Sequence, residues 1–256
     1  MEDEKKTFTG MKENHIEGRN AVLEAFRSGR TIDKLYVLDG CQDGPVRSIT
    51  REARKHDTIV NYVTKARLDQ ISETGKHQGV IAVSAAYDYA RVEDILALAE
   101  KKGEPPFILI LDGIEDPHNL GAIIRTANQA GAHGVIIPKR RAVGLTPTVA
   151  RTSAGAVNYV PVAKVTNISN TMKELKDRGM WFVCADMDGT LMYDMDLTGP
   201  IGLVIGNEGD GVSPLVKKNC DMVASIPMKG DIDSLNASVA AGVLSYEIVR
   251  QRMKKG

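Results

Sequence analysis

Residues 116–126 read DPHNLGAIIRT and stand where a predicted buried strand gives way to a helix. An apolar run, Phe107 to Leu111, precedes them, and apolar residues continue at helical spacing as far as Gly131. Taken singly, Asn119 is expected to cap the helix and Arg125 to be a surface cation. Together, a helix start rich in N–H donors and a nearby arginine indicate an anion site, with phosphate the obvious ligand.

A second stretch, residues 206–213, reads GNEGDGVS and also follows a predicted buried strand. Its glycines allow a sharp turn and a close approach of a ligand to the backbone. Glu208 places a carboxylate at the tip. The glycine spacing fits neither the dinucleotide-binding G-x-G-x-x-G pattern nor a Walker A loop, so neither nucleotide motif explains it. Taken alone, the stretch is typical of a glycine-rich turn with an exposed acid.

A third stretch, residues 234–238, reads SLNAS and opens the last predicted helix. Ser234 or Asn236 is suited to be the N-cap of that helix. The segment also offers backbone amides, a hydroxyl and an amide side chain beside the apolar residues Ile226 and Leu235. That mixture suits a nucleoside with a polar edge.

Strand and helix patterns alternate regularly after residue 106. Continuous apolar runs of this kind predict a mainly parallel sheet covered on both faces. The predicted strands are 107–111, 134–138, 159–163, 181–185, 201–205 and 222–226. In parallel α/β sheets, ligands bind outside the carboxyl ends of the strands, which is where the three stretches lie. We therefore expect them to meet in one active site.

The chain divides into two predicted domains. Residues 1–13 are charged and predict a disordered tail, and 14–86 alternate strands and helices as a small α/β module. Residues 87–105 predict a linker that ends near the Pro105-Pro106 boundary signal, and 106–256 form the larger α/β domain.

One predicted helix of the first module carries Arg47, Arg51 and Arg54 on one face. That face indicates either a solvated surface or one that follows RNA phosphates.

The composition is that of an ordinary soluble globular protein, with 33 basic and 33 acidic residues and no net charge. The three cysteines are scattered and the five histidines lack ligand spacing, so no metal site is expected. The charged N-terminus lacks a signal-peptide pattern, and no apolar run approaches membrane-spanning length. We expect a cytoplasmic protein with no membrane partner.

Residues 183–190, VCADMDGT, carry the D-x-D-G-T pattern of haloacid-dehalogenase-type phosphatases. In that alternative, Asp186 is the nucleophile and Asp188 the acid/base, with magnesium bound. Such enzymes carry this motif near the start of a large catalytic domain, whereas little more than seventy residues follow it here. We therefore interpret the segment as a strand that ends in an Asp-Gly turn.

The three stretches together resemble the motifs of the SpoU (TrmH/RlmB) family of RNA 2′-O-ribose methyltransferases, in the SPOUT superfamily. The patterns are D-P-x-N-x-G-x-x-x-R-T-A from Asp116, G-N-E-G-x-G-x-S from Gly206, and I-P-M from Ile226 followed by S-L-N-A-S from Ser234. The first module also resembles the RNA-binding domain of the family, and the two-domain layout is most similar to the branch that methylates a guanosine of large-subunit (23S) rRNA.

The resemblance implies a trefoil knot in the second domain, S-adenosylmethionine (SAM) as the cofactor, and a homodimer. By position, it assigns Gly206, Ile226, Ser234, Leu235 and Ala237 to the cofactor pocket. It assigns the catalytic roles to four further residues: Asn119, Arg125, Glu208 and Asn236.

A guanidinium is a reluctant base because its pKa is above about 12. We therefore expect Arg125 to bind phosphate and lower the pKa of the ribose hydroxyl. A tRNA substrate and a noncatalytic RNA-binding role stay open as alternatives.

Overall fold

The computed structural model describes residues 14–231 and 234–255, and the predicted tail of residues 1–13 lies outside them. The chain forms two compact units, Met1–Ala86 and Tyr87–Gly256. No helix among the described residues is long and apolar enough to cross a bilayer.

The first unit contains a mixed four-stranded sheet in the order β1-β4-β2-β3. Its strands β2 and β3 pair in parallel, while β4 is antiparallel to both β1 and β2. The elements are β1 (His15–Glu17), α1 (Arg19–Arg27), β2 (Ile32–Leu38), α2 (Gly44–Lys55), β3 (Ile59–Val63), α3 (Lys65–Ile71) and β4 (Val80–Ser84). The short strand β1 was not predicted from the sequence.

Helix α2 shows why one face of the first unit is basic. Asp43 caps the helix by accepting a hydrogen bond from the backbone N–H of Val46, at 3.1 Å. Its apolar face, which includes Val46 and Ile49, is buried against the sheet. The predicted arginine face, 47, 51 and 54, is exposed to solvent.

The carboxylate of Glu17 ties the loop after α3 to strand β1. Partial burial raises the pKa of Glu17, but hydrogen bonds from Ser72, Thr74 and the backbone N–H of Glu73 outweigh it and lower the pKa to about 2. These bonds favour the ionised form, so Glu17 stabilises the loop as a carboxylate.

The second unit contains a six-stranded sheet in the order β10-β8-β9-β5-β6-β7, and every neighbouring pair is parallel, as predicted. Its strands are β5 (Phe107–Asp112), β6 (Gly134–Pro138), β7 (Val162–Val165), β8 (Trp181–Leu191), β9 (Ile201–Gly206) and β10 (Met222–Ser225). Its helices are α4 (Val92–Lys102), α5 (Pro117–Gln129), α6 (Pro147–Thr152), α7 (Ile168–Lys176), α8 (Pro214–Lys218) and α9 (Ala237–Lys255).

Successive residues of β5 face opposite sides of the sheet. Leu109 and Leu111 pack in one apolar layer, whereas Ile108 and Ile110 pack in the other. Both faces of the strand are buried, which explains the unbroken apolar run in the sequence.

The segment 87–105 differs from the predicted linker because it packs as part of the second unit. Helix α4 buries Ile95 and Ala99 completely. The fit is tight: a Cβ at Gly134 would lie 2.5 Å from Cδ1 of Ile95. The proline pair that follows therefore precedes a strand within this unit.

Two local predictions were wrong. The strand predicted at 159–163 begins later, as β7, after a short 3-10 turn at Ala156–Asn158. In place of the turn predicted at Asp188-Gly189, β8 continues to Leu191. Its pairing with β10 breaks after Cys184, which is opposite Val223, and resumes at Thr190, which is opposite Ala224, so Asp188-Gly189 lies in an irregular stretch of the strand. Gly189 permits this pairing, since a Cβ there would lie 2.5 Å from the carbonyl oxygen of Val223.

Candidate active site

Helix α5 begins at Pro117, a short turn after β5 ends at Asp112, and Asp116 caps it. The Asp116 carboxylate accepts a hydrogen bond from the backbone N–H of His118 at 2.9 Å, and Pro117 is the first helical residue. The expected cap, Asn119, instead lies inside the first turn with 7% of its surface exposed. Its amide is therefore available for contacts outside the helix.

Asn119, Glu208 and Asn236 form one hydrogen-bonded cluster, as the sequence predicts. Nδ2 of Asn119 donates to Oε1 of Glu208 at 2.8 Å. Nδ2 of Asn236 donates to Oδ1 of Asn119 at 3.0 Å and also to Oε1 of Glu208. Three segments that are distant in the sequence thus meet at the carboxyl end of the sheet.

Asn236 caps helix α9, which fixes the direction of its amide. Its Oδ1 accepts hydrogen bonds from the backbone N–H groups of Ser238 at 3.0 Å and Val239 at 3.4 Å. Because the oxygen faces the helix, the NH2 group faces Glu208. The cap and the cluster contact are therefore two functions of one side chain, and Ser234 is not the cap.

The loop that carries Glu208 is held by its own backbone. The backbone groups of Asn207 and Gly211 form a reciprocal pair of hydrogen bonds at 3.2 Å. Oδ1 of Asn207 accepts from the N–H of Gly209 at 2.9 Å, and Asp112 at the end of β5 accepts from the N–H of Ser213 at 2.8 Å. These bonds fix the loop relative to β5.

Gly206 is needed at the start of this loop because the returning chain lies against it. A Cβ at Gly206 would lie 2.0 Å from the carbonyl carbon of Gly211. Gly211 itself has φ +67, a left-handed conformation that favours glycine. The glycine pattern thus serves a tight backbone fold that presents Glu208.

All five residues predicted to bind the cofactor line one cavity of about 420 Å³. These residues are Gly206, Ile226, Ser234, Leu235 and Ala237. Glu208 lies on the same wall. Four carboxylates line this cavity, and no lysine or arginine does so among the described residues. The cavity is therefore suited to a ligand with an apolar part and a positive charge.

Asp186 and Asp188 are two of those carboxylates, and the sequence assigned them no role in this site. The Lys217 ammonium lies 2.6 Å from Oδ2 of Asp186, and its hydrogen bond lowers the pKa of Asp186. Asp188 is exposed. Their position in a motif at the end of a parallel strand was the sequence signal that could have assigned them to the site. No pattern in the sequence indicated that Lys217 would pair with Asp186.

A second cavity, of about 940 Å³, lies across the Glu208 loop. Asn119, Arg140 and Arg141 line it, and residues 207–211 line both cavities. Glu208 therefore lies on the wall between the two cavities, and each cavity can hold a different ligand. This arrangement suits the transfer of a group from one ligand to another.

The sequence comparisons agree with this geometry. Residues 106–246 match the SpoU rRNA Methylase family, and residues 15–90 match the RNA 2′-O ribose methyltransferase substrate binding family. The chain belongs to the SpoU rRNA Methylase family. It is thus an RNA methyltransferase of the SpoU/TrmH type with an N-terminal substrate-binding domain.

Individual relatives extend the similarity over nearly the whole SpoU chain. A Bacillus subtilis (strain 168) protein, named as a member of the TrmH family of tRNA/rRNA methyltransferases, is 48% identical over 95% of this chain and 98% of its own.

Among solved structures, the SpoU methyltransferase AviRb from Streptomyces viridochromogenes, in complex with the cofactor AdoMet, has a TM-score of 0.60 and 28% identity. That match covers 94% of this chain and 90% of AviRb. The A. aeolicus TrmH/SpoU tRNA modifying enzyme has a TM-score of 0.55 and 31% identity, over 64% of this chain and 85% of its own.

Arg125 is the one predicted catalytic residue that stays apart from the cluster. It lies six residues after Asn119 on α5, which turns its side chain about 120° around the helix axis. It is exposed and forms no hydrogen bond or ion pair with any described residue. Within this SpoU chain, the guanidinium is therefore free to bind an external anion.

Metal ligation is not indicated at this site. The described residues include no group of three His, Cys, Asp or Glu side chains that is arranged to hold a metal ion.

Proposed function

We propose that this protein transfers the methyl group of SAM to the 2′-hydroxyl of a ribose in RNA, at a guanosine of 23S rRNA. The observation that carries the proposal is the position of Glu208 on the wall shared by two cavities. The first cavity is assigned to SAM and the second to the target nucleotide. The cluster of Asn119, Glu208 and Asn236 then lies where the two ligands meet.

The residues of the first cavity fit SAM in size, polarity and charge. Its volume of about 420 Å³ lies within the usual range for small-ligand sites. Ile226, Leu235 and Ala237 supply an apolar wall for the adenosine part, while Asp188 and its neighbouring carboxylates favour a cation. When bound, SAM supplies a methyl group on a sulfonium centre, which is already a good leaving group.

The chain's own contribution is positioning and removal of a proton. Oε1 of Glu208 accepts hydrogen bonds from Asn119 and Asn236, while Oε2 has no partner among the described residues. Oε2 is therefore free to accept a hydrogen bond from the ribose hydroxyl, to orient its oxygen toward the methyl carbon, and to take its proton as the methyl group is transferred to that oxygen. Arg125, which lines neither cavity, binds a phosphate elsewhere on the same RNA.

Ribosomal RNA is favoured over tRNA by the two-unit layout. The structure described as an AdoMet-bound rRNA methyltransferase from Sinorhizobium meliloti matches 92% of the chain, more than either unit contains, so the match includes parts of both. The tRNA modifying enzyme matches only 64%. The description of the matching family as an rRNA methylase supports the same choice. A tRNA substrate is the alternative, since the B. subtilis relative is named for both RNAs.

The proposal includes a homodimer with a trefoil-knotted second unit that acts on RNA in the cytoplasm. These properties are those that the family resemblance implies, and the match of residues 106–246 to the SpoU rRNA Methylase family supports the proposal. Sedimentation equilibrium tests the dimer directly, and a monomer at micromolar concentration would contradict it.

Calorimetry with SAM, combined with mapping of 2′-O-methyl groups in rRNA from a deletion strain, tests the function. We expect SAM binding, and the loss of one 2′-O-methylguanosine from 23S rRNA in the deletion strain. An unchanged rRNA map with a lost tRNA methyl group would select the alternative substrate.

Arg125→Ala tests the role of the free guanidinium. It is expected to abolish turnover and keep SAM binding, because Arg125 does not line the cofactor cavity. Near wild-type turnover in Arg125→Lys would contradict a bidentate contact with phosphate.

A further inference from the structure

The first unit contains a groove of about 520 Å³ between helix α2 and the edge strand β3. Three arginines of α2 line it, Arg47, Arg51 and Arg54, together with Tyr62 of β3. The one carboxylate in the lining is that of Asp39, which accepts a hydrogen bond from the N–H of Gly40 at 2.9 Å. Three guanidinium groups against one carboxylate leave the groove positively charged.

The three guanidinium groups are not used by the fold. Each is exposed, and none forms a hydrogen bond or ion pair with a described residue. The acid nearest to them in sequence, Glu52, is already paired with Lys55 at 2.8 Å. Because Arg47, Arg51 and Arg54 recur at helical spacing, their charges form a row along the groove. Such a row binds a ligand with repeated negative charges better than it binds a single ion.

Tyr62 gives the groove an aromatic wall. It lies on β3 opposite Val37 of the neighbouring strand, and 55% of the residue's surface is exposed. Because the ring is exposed on an edge strand, it does not pack in the apolar core and so contributes little to the stability of its unit. A flat ring beside free arginines is the combination that binds single-stranded nucleic acid, because bases stack on the ring while the cations bind phosphates.

We propose that this groove binds an unpaired segment of the RNA substrate, with the α2 arginines on its phosphates and one base stacked on Tyr62. The inference rests on the proposed function, since it names where the substrate-binding unit holds its RNA. Of the two alternatives that the sequence left open for the arginine face, it adopts phosphate contacts. The preferred ligand is single-stranded, because a paired base cannot leave its own stack to lie on the ring.

The test is fluorescence anisotropy of the full chain with a short, labelled, single-stranded oligoribonucleotide of mixed sequence, over a series of salt concentrations. Tyr62→Ala is expected to weaken binding by at least about fivefold through lost stacking, with an unchanged salt dependence. Tyr62→Phe keeps the ring and should bind as the wild type does. Arg47→Gln and Arg51→Gln should each reduce the slope of log K against log salt by about 0.7.

Arg30→Gln is the matched control, because Arg30 is an exposed arginine of the same unit that does not line the groove. It should leave both affinity and slope unchanged, and thermal unfolding should show that every variant is folded. Wild-type affinity in Tyr62→Ala and in both arginine variants would overturn the proposal, and would assign the groove to another anionic partner such as an acidic protein. A wild type that binds only a blunt hairpin of the same composition would also overturn it.

Methyl transfer from labelled SAM to rRNA, measured on the same preparations, separates this inference from the proposed function. Groove-dependent RNA binding without methyl transfer would overturn the function and leave the groove as an RNA site. Methyl transfer with RNA binding that does not depend on the groove would support the proposed function and overturn the groove as an RNA site.

Discussion

Replacing Gly206 by alanine tests whether the backbone of the Glu208 loop sets the active-site geometry. The added Cβ would lie 2.0 Å from the carbonyl carbon of Gly211 and 2.2 Å from its oxygen, whereas real Cβ atoms essentially never approach closer than 3.0 Å. The obstructing atoms are backbone, so no side-chain rotation relieves the contact. The two ends of the loop must separate by about 1 Å.

A displacement of that size acts on both ligands at once. Gly206 lines the cofactor cavity, and the same loop carries the carboxylate that holds Asn119 and Asn236. A misplacement of about 1 Å costs on the order of 10²-fold in rate when the reaction depends on alignment. We expect single-turnover methyl transfer to fall by about that factor and SAM affinity to fall with it. The overpacking should destabilise the fold by about 1–3 kcal/mol.

Gly199→Ala is the matched control within the same unit. Nothing lies within 4 Å of a Cβ at Gly199, the residue has no positive φ, and it lines neither cavity. Its rate and SAM affinity should stay close to those of the wild type. If Gly206→Ala also transferred methyl groups at the wild-type rate, the rigid-loop reasoning would be refuted.

Three further predictions concern charged groups. Asn119→Asp places a second carboxylate against Glu208, so one of the two must stay protonated for the contact to persist. The methyl-transfer rate of this variant should therefore fall as the pH rises toward neutrality. A pH–rate profile parallel to that of the wild type would contradict the hydrogen-bonded cluster. Asp188→Asn should weaken the binding of SAM by up to about fivefold more than the binding of its neutral demethylated product. Equal losses of affinity for the two ligands in calorimetry would contradict a role for this charge. Glu17→Gln should destabilise the first unit by about 1–2 kcal/mol at neutral pH. The folded pKa of Glu17, about 2, lies below the ordinary 4.5. Its stabilisation is therefore complete above pH 4.5 and lost as the pH falls toward 2, so the urea-unfolding curves of wild type and variant should converge there.

The parallel sheet was readable from the sequence because its strands are buried on both faces. In β5, alternate residues enter opposite apolar layers, so the strand appears as an unbroken apolar run bounded by polar residues. The same logic placed the three polar stretches at the carboxyl ends of strands. Their convergence at Asn119, Glu208 and Asn236 followed from that topology.

The details that failed depended on contacts between distant segments. Asp188-Gly189 favours a turn locally, but β8 continues past it and pairs with β10 again at Thr190 and Leu191. Asp116 and Asn119 are both good capping residues, and only the helix start at Pro117 decides between them. The ion pair of Asp186 with Lys217 joins residues 31 positions apart, and no local pattern announces it.

The position of Arg125 was predicted only in part. Its place on α5 away from the apolar stripe follows from helical spacing, and the structure confirms that it is exposed. The partner of the Arg125 guanidinium could not be predicted, because that partner is a ligand outside the chain and no contact within the chain specifies it.

Methyl transfer to unmodified large-subunit rRNA is the most direct test of the proposed function. The wild-type protein is incubated with the RNA and SAM labelled in its methyl group, and the RNA is then digested to nucleosides. We expect label in 2′-O-methylguanosine at one site with the wild-type protein, and no label with Asn119→Ala. Label on a base, or methyl transfer undiminished in Asn119→Ala, would contradict it.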